Sequence, residues 1–176
     1  MAGAPFLKLV SPEIHKFMSI EMVRVDDRLI HGQVVAGWCP VVLPDLLILC
    51  DDDIAGSDWE RQLYKDAALE YDTSVCSVEK TVELLNSPEL DSQKIFIVVA
   101  SPKTVVRLVD LGVPLGRVVV GGMHFQPGKR RVTDFIFIDD EDLNSFSSLV
   151  KHGVALEAKD VPTCKSIDLL PLLGLK

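Results

Sequence analysis

KIFIVVASPKTVVRLVDLG, residues 94–112, carries two kinds of pattern back to back. Its first seven residues form a β-branched apolar run, the strongest strand pattern in the chain. Ser101-Pro102 supplies a helix N-cap and a first-turn proline, and Gly112 ends the helix that follows. A strand that hands over to a helix in this way is the first half of a βαβ unit, whose second strand runs parallel to the first.

The same alternation extends in both directions. Upstream, EMVRV (21–25) reads as a strand and HGQVVAGW (31–38) as a short helix closed before Pro40. DLLILC (45–50) is a strand, apolar throughout as expected when both faces are covered. Ser57-Asp58-Trp59-Glu60 is a capping box that opens a helix to about Leu69. TSVCSV (73–78) and EKTVELLN (79–86) are the next strand and helix. Downstream, RVVV (117–120) is a strand, GGMHFQPGKRR (121–131) a loop and VTDFIFI (132–138) another strand. Asp139 or Asp140 then caps a helix ending near Gly153; VALEAKDV (154–161) is the last strand and SIDLLPLLG (166–174) an apolar tail. The pattern predicts a single-domain α/β fold, a mainly parallel open sheet with helices on both faces. Residues 1–21 lack periodicity and read as an N-terminal extension, flexible or lying on the domain as a short helix; 22–176 is the domain.

Composition narrows the function. The chain has 176 residues, 48% hydrophobic and 25% charged, with a formal charge of −8. That sign disfavours nucleic acid and an anionic membrane surface as partners. No apolar run approaches the ~18 residues of a membrane span, and Lys8 and Pro12 interrupt what would be the apolar part of a secretory signal. A cytoplasmic protein is expected. Cys39, Cys50, Cys76 and Cys164 have no metal-ligand spacing and read as reduced thiols.

In an open parallel sheet, ligands bind beyond the carboxyl ends of the strands. Those ends lead to Asp26, Asp27, Arg28 and His31; to Asp51, Asp52 and Asp53; to Ser77 and Ser101; and to Gly121, Gly122, Met123 and His124, with Lys129, Arg130 and Arg131 beyond. A histidine, an arginine, tight turns and helix starts on one edge are the parts of a phosphate site. Gly32 leaves His31 unobstructed, Arg28 can grip a phosphoryl group, and Asp26 or Asp27 can accept the second imidazole N–H. The bland reading of Asp26 and Arg28 is a strand-end ion pair. Asp51–Asp53 read either as a solvated helix start or as an aspartyl-phosphate or Mg²⁺ site. His124 is a second phosphate contact or a loop histidine, and Gly121-Gly122 a tight turn more readily than a cradle. Trp38 and Trp59 are expected to pack helices on the sheet; Lys129–Arg131 is short for a nucleic-acid patch.

RVDDRLIHGQVVAGW (24–38), IAGSDWERQLYKDAA (54–68), VASPKTVVRLVDLGVPL (99–115) and VVVGGMHFQPGKRRV (118–132) resemble the IIB component of the mannose/fructose/sorbose family of bacterial sugar phosphotransferase systems (PTS). The resemblance runs from Met22 to about Leu173. It implies a protein-phosphohistidine–sugar phosphotransferase in which His31 accepts a phosphoryl group from the IIA component and passes it to a sugar held by the IIC and IID membrane components. It implies Arg28 as the phosphate-contacting arginine, with Asp26, Gln33 and the Gly122-Met123-His124 loop near it; Asp27 joins these supporting residues on the reading of the strand end alone. It implies no metal, no organic cofactor and no membrane insertion, only transient contact at the inner face of the cell membrane. Asp51 stands where the resemblance leads us to expect asparagine, and its added charge is expected either to slow phosphorylation or to alter the choice of donor. The competing classes are a receiver-like protein phosphorylated on one of Asp51–Asp53, and a binding module without chemistry.

Overall fold

The computed structural model describes residues 19–175. In chain order, β1 (Ser19–Asp26) leads through a turn to a π-helical segment (Gln33–Trp38) continued by α1 (Cys39–Val42). β2 (Leu46–Cys50), α2 (Asp52–Ala55), α3 (Asp58–Ala67), β3 (Thr73–Cys76), α4 (Val78–Leu85), β4 (Lys94–Val99) and α5 (Pro102–Asp110) follow. Then come β5 (Arg117–Gly122), β6 (Arg130–Arg131), β7 (Phe137–Ile138), α6 (Asp140–Lys151), β8 (Ala155–Ala158), β9 (Ile167–Asp168) and α7 (Leu170–Leu173).

Seven strands form one sheet in the order β3-β2-β4-β1-β5-β8-β9. All pairings are parallel except that of β9, which runs antiparallel on the β8 edge. Alternate residues of each strand feed two cores. On one face Val23, Val25, Ile97 and Val120 pack against Val78, Val105, Leu108 and Phe146 of α4, α5 and α6. On the other, Leu47, Leu49, Phe96 and Val119 pack against Val34, Val35 and Trp38 of the segment after β1, and Ala68 after α3. The chain leaving β1 therefore crosses one face and the chain leaving the adjacent β5 crosses the other. The divergence opens a crevice at the carboxyl ends of β1 and β5, the switch point where such sheets bind ligands.

The single-domain, mainly parallel α/β architecture is the one expected, with five local differences. Pro40 does not close the first helix but lies in the opening turn of α1. The preceding turn is wide, with the Cys39 N–H donating to the Val34 carbonyl, a geometry that leaves room for a residue with no N–H of its own. The strand expected over 132–138 is reduced to β7, which pairs antiparallel with β6, from within the expected loop. Trp59 is 72% exposed instead of packed on the sheet, because the stripe facing the sheet runs through Tyr64 and Ala68. The apolar tail contains β9 and α7. The extension expected over 1–21 contributes its last three residues to β1; residues 1–18 lie outside the described residues. Among the described residues no helix is long and apolar enough to cross a membrane.

Candidate functional site

β1 places Arg24 and Asp26 on the face that elsewhere holds Met22, Phe96 and Val119, and both are fully buried. The Arg24 guanidinium donates to Asp26 Oδ2 from Nη2 at 2.8 Å and from Nε at 3.2 Å. It also donates to the carbonyls of Lys159 and Asp160, each at 3.0 Å, and lies 5.1 Å from the Trp38 ring centroid. Desolvation pushes the Arg24 pKa down, and Asp26 opposes that shift.

β5 makes room for this guanidinium. The pairing of β1 with β5 slips between Val25 and Asp26, so that Asp26 faces Gly122 and Gly121 is left as a bulge. A Cβ at Gly121 would stand 1.8 Å from Arg24 Cζ. Gly121 and Gly122 are thus buried strand residues, not the tight turn expected. Gly121 is a cradle for an arginine and not for an anion.

Beyond Asp26 the chain turns sharply. The Leu29 N–H donates to the Asp26 carbonyl at 2.9 Å and the Arg28 N–H to Asp26 Oδ1 at 3.2 Å. Leu29 takes a left-handed backbone, φ 59°, a conformation that costs a non-glycine residue ~1–3 kcal/mol. Burial of the adjacent Leu29 and Ile30 side chains in the same core holds it in place. His31, one-fifth exposed, then sits at the rim.

Arg28, Gln33 and His31 meet around one oxygen. Arg28 Nη2 donates to Gln33 Oε1 at 2.5 Å, and His31 Nε2 lies 3.4 Å from the same atom. Asp26 stands behind them, Oδ1 at 3.5 Å from Arg28 Nε and Oδ2 at 3.9 Å from His31 Nε2. The other imidazole nitrogen does not reach Asp26 or Asp27, as the sequence suggested. Nδ1 is 2.9 Å from the Leu29 carbonyl, which the tight turn brings back under the ring.

Asp27 serves a different histidine. Its Oδ1 is 2.5 Å from His124 Nδ1 and its Oδ2 accepts the His124 N–H at 2.6 Å, while its own N–H donates to the Gly122 carbonyl. Asp27 and His124 therefore tie the loop after β1 to the loop after β5. Phe125, edge-on to Phe137 at 5.7 Å, and Lys129, 2.8 Å from Asp142, fasten the rest of that loop. Met123 faces the core at 2% exposure and its N–H donates to the Phe135 carbonyl, so it anchors the loop and does not face His31.

The three aspartates after β2 are occupied elsewhere. Asp51 caps α2, accepting the N–H groups of Asp53 and Ile54. Asp52 accepts the Val78 N–H at 2.9 Å and pairs with Arg107, which also reaches Glu79. These bonds hold the Asp52 carboxyl below its usual range, Arg107 being the larger cause. In the sheet order β4 separates β2 from β1, about 10 Å at ordinary strand spacing. Ser77 and Ser101 cap α4 and α5.

The sequence reading overlooked Arg24, Trp38 and the Lys159–Asp160 segment as parts of one network. A signal was present. Arg24 occupies an alternate position of β1, in step with Met22, two residues before the strand's polar end.

Comparison with known proteins places the chain in a family. A family profile described as the PTS system sorbose subfamily IIB component matches residues 20–176. The sorbose-specific EIIB component of Klebsiella pneumoniae is 34% identical over 154 residues, 87% of this chain and 94% of that protein. The fructose-specific EIIB component of Bacillus subtilis is 32% identical over 157 residues, 89% of this chain and 96% of that protein. The crystal structure of the IIBSor domain of the Klebsiella pneumoniae sorbose permease superposes with a TM-score of 0.84 at 33% identity, covering 89% of this chain and 97% of that one. On its sequence, its fold and its first-strand motif, the chain belongs to the IIB components of the mannose/fructose/sorbose family and has its role within a sugar phosphotransferase system.

Proposed function

We propose that this chain is a phosphocarrier that accepts a phosphoryl group on His31 from a IIA component and delivers it to a sugar held by IIC and IID membrane components. The observation that carries this reading is the single oxygen, Gln33 Oε1, held between Arg28 Nη2 and His31 Nε2. It marks a space where an oxyanion attached to the imidazole would meet the guanidinium. Arg28 is two-fifths exposed, so it is open to an incoming group while Asp26 steadies its base.

Transfer needs little of the protein beyond positioning and charge. An unprotonated imidazole nitrogen attacks phosphorus, an N–P bond forms, and the donor's N–P bond breaks with its electron pair returning to the donor imidazole. In the second step a sugar hydroxyl oxygen attacks, the O–P bond forms, the N–P bond to His31 breaks with its electron pair returning to the imidazole, and the hydroxyl proton passes to water. Arg28 stabilises the phosphoryl oxygens in both directions. In the resting geometry each ring nitrogen faces an acceptor, the Leu29 carbonyl on one side and Gln33 with Asp26 on the other. A neutral ring carries a single N–H, so one of these two nitrogens keeps its lone pair for phosphorus.

The donor and the acceptor meet the same rim in succession, at the cytoplasmic side of the membrane components. One relative, the mannose-specific EIIAB component of Escherichia coli, carries both A and B in its name, and this chain spans 49% of it at 32% identity. The test is to phosphorylate the protein with a phosphorylated IIA component and map the modified residue by mass spectrometry. Label on His31, lost in acid and retained in alkali, is the expected result. Label on an aspartate, cleaved by hydroxylamine, or no label at all overturns the reading.

A further inference from the structure

We propose that Arg24 is a positioning residue for the chemistry of His31: it fixes and neutralises Asp26 so that the charge of Arg28 stays available to the phosphoryl group. The proposal rests on His31 being the phosphoryl acceptor.

Three observations carry it. Arg24 is fully buried in a sheet face that is apolar apart from Asp26, and it makes four hydrogen bonds, two to Asp26 and two to main-chain carbonyls just beyond β8. A bulge and a glycine, Gly121, leave the space it fills. A buried ion pair is a poor device for stability, since well-packed apolar residues often serve as well or better. A network this specific is explained by what it orients. Asp26, held by Arg24 at Oδ2, turns Oδ1 to the Arg28 N–H and side chain and keeps Oδ2 3.9 Å from His31 Nε2.

Charge supplies the reason. Within the trio, Arg24 and Arg28 against Asp26 sum to one positive charge, with only Arg28 open to solvent; without Arg24 that sum is zero, and the Asp26 carboxylate competes with the phosphoryl oxygens for Arg28. The other charged groups nearby are committed: Asp27 is paired with His124, and Lys159 Nζ lies 5.5 Å from the Trp38 centroid. Asp160 accepts through its carbonyl from Arg24 and from the Trp38 indole N–H, each at 3.0 Å, and its carboxylate adds a negative charge that acts on Arg24 rather than on Arg28. Arg24 thereby links the end of β8 to the motif loop after β1.

The experiment uses the full chain and the small N–P donor phosphoramidate. The imidazole nitrogen forms its N–P bond as the donor's bond breaks and ammonia leaves. The rate at His31 is followed by NMR against that at His152, an exposed histidine remote from Arg24 that serves as an internal control. In Arg24→Lys, which keeps a cation but not the fork, the His31 rate is expected to fall ~100-fold while His152 is unchanged. The His31 titration midpoint should move and that of His152 should not. A folded Arg24→Lys with wild-type rate and midpoint at His31 overturns the proposal. Should that variant not fold, the wild-type Arg24 Nε–H resonance decides: it shifts when His31 is phosphorylated if Arg24 senses the site, and an unchanged resonance refutes it. A wild-type chain whose His31 reacts no faster than His152 defeats the phosphocarrier reading instead, and the His31 titration still reports on Arg24.

Discussion

Replacing Gly121 with alanine isolates the most constrained contact in the molecule. The added methyl carbon would lie 1.8, 1.9 and 2.1 Å from Arg24 Cζ, Nη2 and Nη1. Contacts below 3 Å do not persist, and the guanidinium has little room to retreat, being hydrogen-bonded on one side and stacked on Trp38 on the other. The strand must open or Arg24 must leave Asp26. Overpacking a core costs ~1–3 kcal/mol, and stranding one member of a buried ion pair costs ~3–5 kcal/mol. A loss of about 3 kcal/mol is expected, which lowers the melting temperature of a domain this size by ~6–12 °C. Urea unfolding followed by tryptophan fluorescence and by circular dichroism measures it. Gly116→Ala is the control, because a Cβ there meets nothing within 4 Å. Gly121→Ala within about 0.5 kcal/mol of wild type, the ordinary range for surface changes, would refute the assignment of Gly121 as the cradle of Arg24.

Arg28→Ala should leave stability within about 1 kcal/mol, since its ion pair is partly exposed, yet slow phosphoryl transfer ~10²–10³-fold; equal transfer rates in quench-flow would remove Arg28 from the mechanism. Asp52 and Asp139 are both held below the ordinary value of 3.8, the first chiefly by Arg107 and the second chiefly by the Asp142 N–H. Their contribution is therefore complete above pH 3.8 and is lost as pH falls through their lower folded values. Arg107→Ala should unfold at a higher pH than wild type in an acid titration, and superimposable curves would show the Asp52 pair to be inert. Burial pushes the Cys39 and Cys50 thiols up to about 11, whereas Cys164 is exposed. A thiol reagent at pH 8 should modify Cys164 first and reach Cys39 and Cys50 only on unfolding, so early loss of those two thiols would contradict the packing.

The division between sequence and structure follows the range of the interactions. Local signals were decisive where the neighbours in space are neighbours in the chain: Ser101-Pro102 at the start of α5, Ser57 before α3 and the all-apolar β2 each set an element by themselves. Once strands alternate with helices, parallel pairing follows, and the polar strand ends fall on one edge. His31, Arg28, Asp26 and Gln33 lie within eight residues of one another, so their meeting was legible in a single motif. The partner of Asp27 was not, because His124 is 97 residues away and arrives only through the pairing of β1 with β5. Nor was the role of Gly121, which depends on a one-residue slip between strands, or that of Lys159 and Asp160, whose carbonyls reach Arg24 across 135 and 136 residues. Periodicity reports which face a side chain takes. What that side chain touches there is set by register and by the crossing of distant strands, which only the folded chain decides.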